Sequence, residues 1–268
     1  MSMRFTSRAP GPPLAPFVER LWHCESDFAH ARERVLPRGT MQLLINLAED
    51  QLRWYDGPGY ATTHAMGGAA LCGAFARHIA IDTVEQRAIC GASFRPGGAA
   101  AFLALPADEL RDLHVPLDVL WGHDGAILRE RLLEARGADA ILRTLEAALV
   151  ARLRTRDADR AIGFAIGALD GGAAVGDVTD RLGLSPARFI KRFAGVVGLT
   201  PKRYARLSRF NRVLETLELG RGVDWARIAQ DCGYFDQAHL IHEFRAFSGV
   251  NPTAYRPRSP GDLRHAVL

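Results

Sequence analysis

The sequence has 268 residues, of which 48% are hydrophobic, 24% charged and 8% aromatic. These values are typical of globular proteins and exclude a disordered or fibrous chain. No apolar stretch approaches the roughly 18–20 residues of a membrane span, and the N-terminus has no apolar signal segment. The four cysteines form no CxxC pair, so we expect reduced thiols in a cytoplasmic protein of about two domains.

The net charge of +4 is unevenly distributed along the chain. Residues 160–258 carry 15 Lys and Arg against 9 Asp and Glu, whereas the remaining residues carry 19 against 21. A basic C-terminal part joined to a slightly acidic N-terminal part favours contact of the C-terminal part with a polyanion.

The first hundred residues predict short β-strands separated by Gly/Pro turns, which indicates a small barrel-like β-domain. The predicted strands are Phe17–Cys24, Met41–Leu47, His78–Val84 and Ile89–Phe94. Helical periodicity follows at Ile127–Leu133 and at Ile141–Leu153. The apolar stripe Ile141–Leu153 either pairs two protomers or closes the barrel. We place the domain boundary near residue 157.

An internal repeat occupies the C-terminal part. Gly183 corresponds to Gly233 at an offset of 50 positions. Five further pairs follow at an offset of 51: Phe189/Leu240, Phe193/Phe244, Gly198/Gly249, Pro201/Pro252 and Tyr204/Tyr255. Two copies are too few for a solenoid and indicate a duplicated module.

Each copy predicts a helix, a tight turn and a second helix. Gly183 and Gly233 end the first helices, while Ser185, followed by a proline, and Asp236 are good N-caps for the second. Asp224 caps the first helix of the second copy. This pattern is the helix-turn-helix geometry. A helix of about 17 residues, about 26 Å long, is predicted to start at Thr200-Pro201 and to connect the copies.

A helical wheel separates the buried and exposed faces of the two second helices. Phe189, Phe193 and Val196 in one copy, and Leu240, Phe244 and Phe247 in the other, form the buried faces. The residues predicted to face outward are Ala187, Arg188, Ile190, Lys191, Ala194, Ala238, His239, His242 and Arg245. Small residues near the helix start, with cations further along, suit entry into a DNA major groove.

These residues resemble the AraC/XylS-type transcriptional regulators over Ala161–Arg256. The most specific string is Ile228-Ala229, Gly233-Tyr234-Phe235-Asp236-Gln237-Ala238-His239, Phe244-Arg245 and Gly249-Val250-Asn251-Pro252-Thr253-Ala254-Tyr255-Arg256. The first copy is similar through Leu182-Gly183-Leu184-Ser185-Pro186, Phe193 and Gly198-Leu199-Thr200-Pro201. The resemblance implies an all-α domain of seven helices, sequence-specific binding to double-stranded promoter DNA and, with RNA polymerase, usually activation.

The resemblance and the wheel together give the candidate contact residues. Candidates for base contacts are Ala187, Arg188, Ile190, Lys191, Gln237, Ala238, His239, His242 and Arg245. Candidates for phosphate contacts are Ser185, Arg192, Arg203, Arg206 and Arg209. Ala187 and Ile190 can touch only thymine methyls, so base hydrogen bonding in the first helix depends on Lys191 and Arg188.

The N-terminal half resembles the sensor-like domain that precedes this module in one subgroup of the family. The resemblance is carried by Phe94-Arg95-Pro96-Gly97-Gly98-Ala99, Val115-Pro116-Leu117 and Leu120-Trp121-Gly122. It implies a barrel-like domain at residues 1–157 that binds a small-molecule effector or forms a homodimer. We therefore expect an α+β chain with this domain, a DNA-binding domain at 158–258 and a tail at 259–268. The candidate effector-pocket residues are Trp22, Trp54 and Arg95.

An alternative is an enzyme, or a metal- or thiol-sensing N-terminal domain, that carries a DNA-binding tail. No nucleophile elbow or phosphate loop supports an enzyme, so no catalytic residue is predicted. His239 and His242 have no third ligand nearby. His23, Cys24, Cys72, His78 and Cys90 match no zinc spacing, so no cofactor or metal is predicted. A third possibility is an N-terminal domain that binds a partner protein.

Overall fold

Two antiparallel β-sheets form most of the N-terminal half. The computed structural model describes residues 3–155, 157–217, 224–259 and 262–268. The strands, in chain order, are β1 (Arg4–Arg8), β2 (Val18–Glu25), β3 (Arg32–Val35), β4 (Gln42–Asn46), β5 (Leu52–Asp56), β6 (Thr62–Met66), β7 (Ala69–Cys72), β8 (Ile79–Asp82), β9 (Ala88–Phe94), β10 (His114–Pro116) and β11 (His265–Val267).

The strands belong to one six-stranded and one five-stranded sheet. Sheet A has the order β1-β2-β9-β4-β7-β10, and sheet B has the order β11-β3-β8-β5-β6. Within the described residues no strand hydrogen-bonds to both sheets, so the domain is an open pair of sheets and not a closed barrel. The predicted strand His78–Val84 ends at Asp82, because a 3-10 helix begins at Thr83.

The helices follow the sheets along the chain. They are α1 (Leu117–Trp121), α2 (His123–Glu134), α3 (Ala138–Arg152), α4 (Arg160–Asp170), α5 (Val175–Arg181), α6 (Pro186–Val197), α7 (Pro201–Thr216), α8 (Trp225–Asp231) and α9 (Gln237–Ser248). Short 3-10 helices span Pro58–Tyr60, Thr83–Arg87, Gly98–Phe102, Ala107–Leu110 and Pro252–Ala254. None of the described helices is long and apolar enough to cross a membrane.

Alternation along the strands gives sheet A two apolar faces, because successive side chains point to opposite sides. Leu43 and Ile45 of β4 are fully buried in the main core, which includes α2 and α3. Leu44, between them, packs instead in a smaller cluster with Leu52 of sheet B. One face of sheet A is therefore covered by helices, and the other faces sheet B.

The apolar stripe of α3 covers the chain's own sheet. Ile141, Leu142, Leu145 and Leu149 are buried in the main core, and α3 packs against β2 and β9. Of the two interpretations of this stripe, the structure shows the intramolecular one, with the stripe closing the helical side of the β-domain.

The tail joins sheet B through its described residues 265–267. β11 pairs antiparallel with β3, with Ala266 opposite Arg34. Arg258, just before the tail, bonds to the fully buried Glu33 at 2.8 and 3.0 Å and also to Asp262. The sequence predicts a separate C-terminal tail, whereas the structure places these residues at the edge of the N-terminal domain.

Candidate nucleic-acid interface

The first helix-turn-helix unit consists of α5, a turn at Gly183 and α6. Gly183 has φ of +62°, the left-handed conformation that glycine adopts without strain. The Ser185 hydroxyl accepts the N–H of Arg188, as a helix N-cap does. Phe189 and Phe193 are fully buried, which leaves the opposite face of α6 toward solvent.

The exposed face of α6 carries four predicted base-contact residues. Ala187, Arg188, Ile190 and Lys191 are all exposed. Ile190 is the one large apolar side chain of the four, and it is 44% exposed. The first turn of α6 therefore presents the small side chain of Ala187, and the cations Arg188 and Lys191 are exposed near it.

The prediction that Ala194 faces outward is wrong. Ala194 is buried, because the C-terminal half of α6 packs against the 3-10 helices Gly98–Phe102 and Ala107–Leu110 of the N-terminal half. Gly198, just after α6, lies so close to Met41 and Ala74 that an added Cβ would approach them at 3.0 and 3.1 Å. The helical wheel treats the module as isolated and cannot show this contact.

The second unit consists of α8, a turn at Gly233 and α9. Asp224 and Asp236 accept backbone N–H groups as N-caps of α8 and α9, as predicted. Leu240, Phe244 and Phe247 are buried. The exposed face of α9 carries Gln237, Ala238, His242 and Arg245.

His239 differs from the other candidates on α9. Its ring lies edge-on against Tyr234 with centroids 5.3 Å apart, and its Nδ1 accepts the N–H of Phe235 at 3.4 Å. The imidazole is therefore folded back onto the turn and only partly exposed.

Helix α7 holds the two units together through one apolar face. Tyr204 at its start packs edge-on with Phe193 of the first unit, with ring centroids 5.6 Å apart. Phe210, two turns later, packs against Phe244 and Phe247 of the second unit at 5.3 and 5.1 Å. Because these rings are buried, α6 and α9 are both anchored to the same 16-residue helix.

One phosphate candidate connects α7 to α9. Arg206 donates to both carboxylate oxygens of the buried Glu243, at 2.6 and 2.9 Å. Burial by itself raises the pKa of Glu243, but the Arg206 bonds outweigh it and hold that pKa below its ordinary value. The pair is therefore ionised and fixes α9 on α7.

Three other phosphate candidates are also bonded within the chain. Arg192 donates to both oxygens of Asp159, at 2.9 and 3.0 Å. Arg203 lies 3.2 Å from the Asp112 carboxylate of the N-terminal half. Arg209 donates to the carbonyl of Gly233 at 3.3 Å. Their phosphate contacts, like that of Ser185, stay predictions.

One exposed aromatic side chain on this surface was not among the residues predicted from the sequence. Phe235 lies in the turn before α9 and is 92% exposed. It directly precedes the N-cap Asp236 and the exposed Gln237. The sequence does carry a signal for Phe235. It is a large apolar residue in the turn of a helix-turn-helix unit, directly before the polar residue that caps the next helix.

Two family models match the sequence, one in each half. Residues 178–258 match the family described as a helix-turn-helix domain, and residues 6–116 match a domain of unknown function (DUF6597). The first match begins within α5 and continues through α6, α7 and the second unit. The chain is a DNA-binding transcriptional regulator with an AraC-type helix-turn-helix domain at its C-terminus.

No curated protein matches the regulator's sequence. Among solved structures, ToxT from Vibrio cholerae is similar with a TM-score of 0.48 at 10% identity, over 94% of this chain and 97% of ToxT. ToxT from V. cholerae O395 bound to (E)-4-(8-methylnaphthalen-1-yl)but-3-enoic acid gives 0.48 at 9% identity, with the same coverage. The xylose-binding transcription activator XylR gives 0.30 at 19% identity, over 44% of this chain and 38% of XylR. At these scores the likenesses assign no ligand or residue role to the regulator.

The regulator's N-terminal half contains a cavity of about 290 Å³ between its sheets. Of the three candidate pocket residues, Trp22 lines this cavity, and its ring stacks on the ring of Phe5. Trp54 is outside the lining and stacks on the His64 ring at 5.0 Å. Arg95 is exposed elsewhere and donates to the carbonyl of Ala15 at 2.9 Å. The three candidates are therefore not brought together.

The regulator's cysteines are all free and buried. Burial raises the pKa of the Cys90 thiol to about 12 and raises that of Cys72 as well. A buried thiol with a raised pKa is a poor nucleophile. Within the described residues, no group of three or more His, Cys, Asp or Glu side chains is placed to hold a metal ion. Thiol sensing at these positions has no support in this arrangement.

Proposed function

We propose that the regulator binds promoter DNA by placing α6 and α9 in successive major grooves on one face of the duplex. The observation that carries this proposal is that both helices present an exposed face while one buried row of α7 anchors them. At 1.5 Å per residue, α7 is about 24 Å long, and the helices that flank it extend the span. One turn of B-DNA is about 34–36 Å, so the two helices are suited to an asymmetric, two-part site.

Base discrimination is proposed to differ between the two helices. On α6, Lys191 and Arg188 supply donors for guanine edges, and Ala187 and Ile190 contact thymine methyls. On α9, Gln237 suits adenine, while His242 and Arg245 lie further along the same exposed face. Phe235 adds an apolar contact to a sugar or a thymine methyl beside α9.

A footprint of the full-length regulator on its promoter tests this arrangement. We expect two protected patches on one face of the DNA, centred about 10–10.5 base pairs apart. Lys191→Ala should weaken the patch under α6 by ~1–3 kcal/mol and relax its base preference, because it removes a direct base contact. Arg131→Ala, an exposed cation on α2, is the control and should leave both patches unchanged.

Two outcomes contradict the arrangement. A single protected patch, or patches on opposite faces of the duplex, would exclude simultaneous binding in successive grooves. An equal loss on every DNA sequence for Lys191→Ala would make that residue a phosphate contact, without changing the overall docking.

The cavity between the sheets is proposed as the site of a small-molecule effector. It is bounded by both sheets and by Arg258, Asp262 and His265 at the C-terminal end of the described chain. These residues connect directly to the end of the DNA-binding half. A ligand in the cavity therefore touches residues that join the two halves.

The remaining partners are proposed from the resemblance. They are RNA polymerase, which would make the regulator an activator, and a second copy of the chain. Because the α3 stripe is buried within the chain, a homodimer needs a different face. Promoter binding places the proposed site of action in the cytoplasm.

A further inference from the structure

Two arginine side chains lie where two cavities meet. Arg20 follows the start of β2, and Arg38 lies in the loop between β3 and β4. Both line the 290 Å³ cavity between the sheets. Both also line a larger cavity of about 670 Å³, whose other wall is formed by α7. The two guanidiniums therefore separate the inter-sheet cavity from the DNA-binding half.

Arg20 and Arg38 lack a direct carboxylate partner among the described residues, although the Asp262 and Glu19 carboxylates lie near enough to offset part of the charge of Arg38. Within the described residues, neither Arg20 nor Arg38 forms an ion pair, and Arg20 Nε is buried without a hydrogen-bond partner. The nearby carboxylate of Asp262 already bonds to Arg258 and His265. Burial, followed by the charges of Arg264 and Arg20, lowers the pKa of Arg38 to about 10. Arg20 and Arg38 are both partly buried. Positive charge withdrawn from water without a direct partner is unfavourable and is stabilised when an anion is supplied.

The other cations of the inter-sheet cavity are already paired. Arg77 lies 3.1 Å from the Asp56 carboxylate, and Arg258 bonds to Glu33. Asp262 is the one carboxylate among the lining residues that the structure describes. The excess positive charge is therefore confined to Arg20 and Arg38.

Much of the remaining wall of the inter-sheet cavity is apolar, beside polar side chains such as Gln42, Gln86 and Ser93. Trp22 and Phe5 stack with ring centroids 6.3 Å apart, and Phe75, Ile79 and Ile89 complete the wall. A volume of 290 Å³ is equivalent to about ten water molecules in the liquid, so it fits a ligand of roughly ten non-hydrogen atoms. An apolar or aromatic body fits these walls, with one charged group at the arginine end.

We propose that this cavity binds a small organic carboxylate, with its carboxylate on Arg20 and Arg38 and its apolar body against Trp22. Arginine is suited to this role, because its planar fork donates two parallel hydrogen bonds to a carboxylate. The proposal specifies the ligand class of the proposed effector site. It does not depend on DNA binding by α6 and α9.

The same arginine connects the ligand to α7. The Arg38 carbonyl accepts a hydrogen bond from the side-chain amide nitrogen of Asn211 in α7 at 3.0 Å. Arg264 donates to the Oδ1 atom of the same side chain at 2.9 Å. Because Arg38 and Arg264 repel each other, a carboxylate beside Arg38 reduces that repulsion. The bound anion is therefore expected to strengthen the contact between the β-domain and α7.

Matched acids and alcohols test the proposal on the full-length regulator. The probes are 3-phenylpropanoate and octanoate, with 3-phenylpropan-1-ol and 1-octanol as uncharged counterparts, measured by calorimetry and by thermal unfolding. Each acid should bind at least about tenfold tighter than its alcohol and raise the unfolding temperature. A hydrogen bond to a charged group stabilises a complex by more than the free energy that corresponds to a tenfold change in affinity.

Single substitutions then locate the carboxylate. Arg20→Gln or Arg38→Gln should each weaken acid binding by about tenfold or more and leave alcohol binding unchanged. Arg95→Gln removes an exposed arginine outside the cavity and should change neither. The two variants are separate tests, so misfolding of one, detected by circular dichroism, leaves the other.

Three results overturn the proposal. They are equal binding of acid and alcohol, acid binding that survives both substitutions, and no acid binding at millimolar concentration. A failed promoter footprint would leave these measurements unaffected, so the two proposals fail independently.

Discussion

His114 lies at the edge of sheet A in a setting that opposes protonation. Its ring is 4.2 Å from that of Trp54 and 4.7 Å from that of Phe75, and its Nδ1 is buried without a partner. Burial, and then the charge of His64, lower the pKa of His114 from 6.5 to about 4. The folded chain therefore keeps this imidazole neutral at pH values where the unfolded chain protonates it.

The His114 environment predicts a loss of stability in mild acid. As the pH falls from 6.5 to 4, the unfolded chain binds a proton that the folded chain does not, which costs up to about 3 kcal/mol. His114→Phe keeps a ring in the site and should remove this part of the pH dependence, measured by urea unfolding at pH 7.5 and pH 5. Glu85, whose pKa burial raises to about 7, acts in the opposite sense but equally in both proteins.

A control variant separates this site from the other histidines. His123→Gln changes an exposed histidine at the start of α2 and should reproduce the wild-type pH dependence. The interpretation fails if His114→Phe loses as much stability between the two pH values as the unchanged chain does.

Residues with local roles were predictable from the sequence, and residues with long-range roles were not. Ser185, Asp224 and Asp236 are N-caps as predicted, because each accepts backbone N–H groups two or three positions away. Arg38 and His114 acquire their character from neighbours brought together by the sheets. No sequence pattern identifies a cation left without a partner by tertiary packing.

The same difference applies to whole elements. Helices α5 to α9 follow from apolar periodicity, caps and glycines, all of which are short-range signals. Strand β6 is mostly exposed and β11 has three residues, so neither shows the apolar alternation that marks a strand. These strands form because a neighbouring strand supplies hydrogen bonds, which the sequence of the segment itself does not record.

Strand β11 predicts a stabilising role for residues 259–268. Removing them takes away the partner of β3, the Asp262 carboxylate of Arg258 and the bonds from Arg264 to α7. The truncated chain should unfold about 5–10 °C lower, because a loss on the order of 2–4 kcal/mol is expected in a chain of this size. The amide of Leu36, which donates to the Arg264 carbonyl, should lose protection from hydrogen exchange.

Val267→Ala serves as the matched control for the truncation. The Val267 side chain is exposed, whereas the backbone of that residue keeps its pairing with Glu33. This variant should retain both the unfolding temperature and the protection of Leu36. Full protection of Leu36 in the truncated chain would show that β11 does not hold the edge of β3.

At the scale of the whole molecule, the two halves share one core. Phe193 of α6 and Phe94 of β9 belong to the same buried cluster, and the Arg203–Asp112 ion pair also joins the halves. The N-terminal half therefore fixes the position of α6. The helical pattern of α6 predicts the exposed face at Ala187 and Lys191. It does not predict that the N-terminal half covers the C-terminal end of α6 at Ala194.

The charge arrangement predicts how DNA binding depends on salt. Among the described residues of α6, α7 and α9, the cations Arg188, Lys191, Lys202 and Arg245 are exposed and form no ion pair. If each of these four cations also neutralises the phosphate nearest to it, at about −0.9 per phosphate, log K against log salt should have a slope of about −4 for the full-length regulator. Filter binding over a range of salt concentrations measures it.

The arginines that are bonded within the chain would make the salt dependence steeper if they also contacted DNA. If Arg192, Arg203, Arg206 and Arg209 also contact phosphates, the slope steepens to about −7. Arg209→Gln distinguishes the two cases: it should leave the slope unchanged if Arg209 bonds only to Gly233. A reduction of about one in the slope would instead assign Arg209 to DNA.

Strand β11 also sets an order of events during synthesis. Arg258 and Glu33 are 225 positions apart in the chain, and Ala266 pairs with Arg34. N-terminal domains usually fold while the ribosome is still translating the C-terminal part of the chain. In this chain β3 lacks its outer neighbour until residue 265 has emerged. A nascent chain stalled before that point would expose an unpaired edge of β3, a site where other polypeptides can attach.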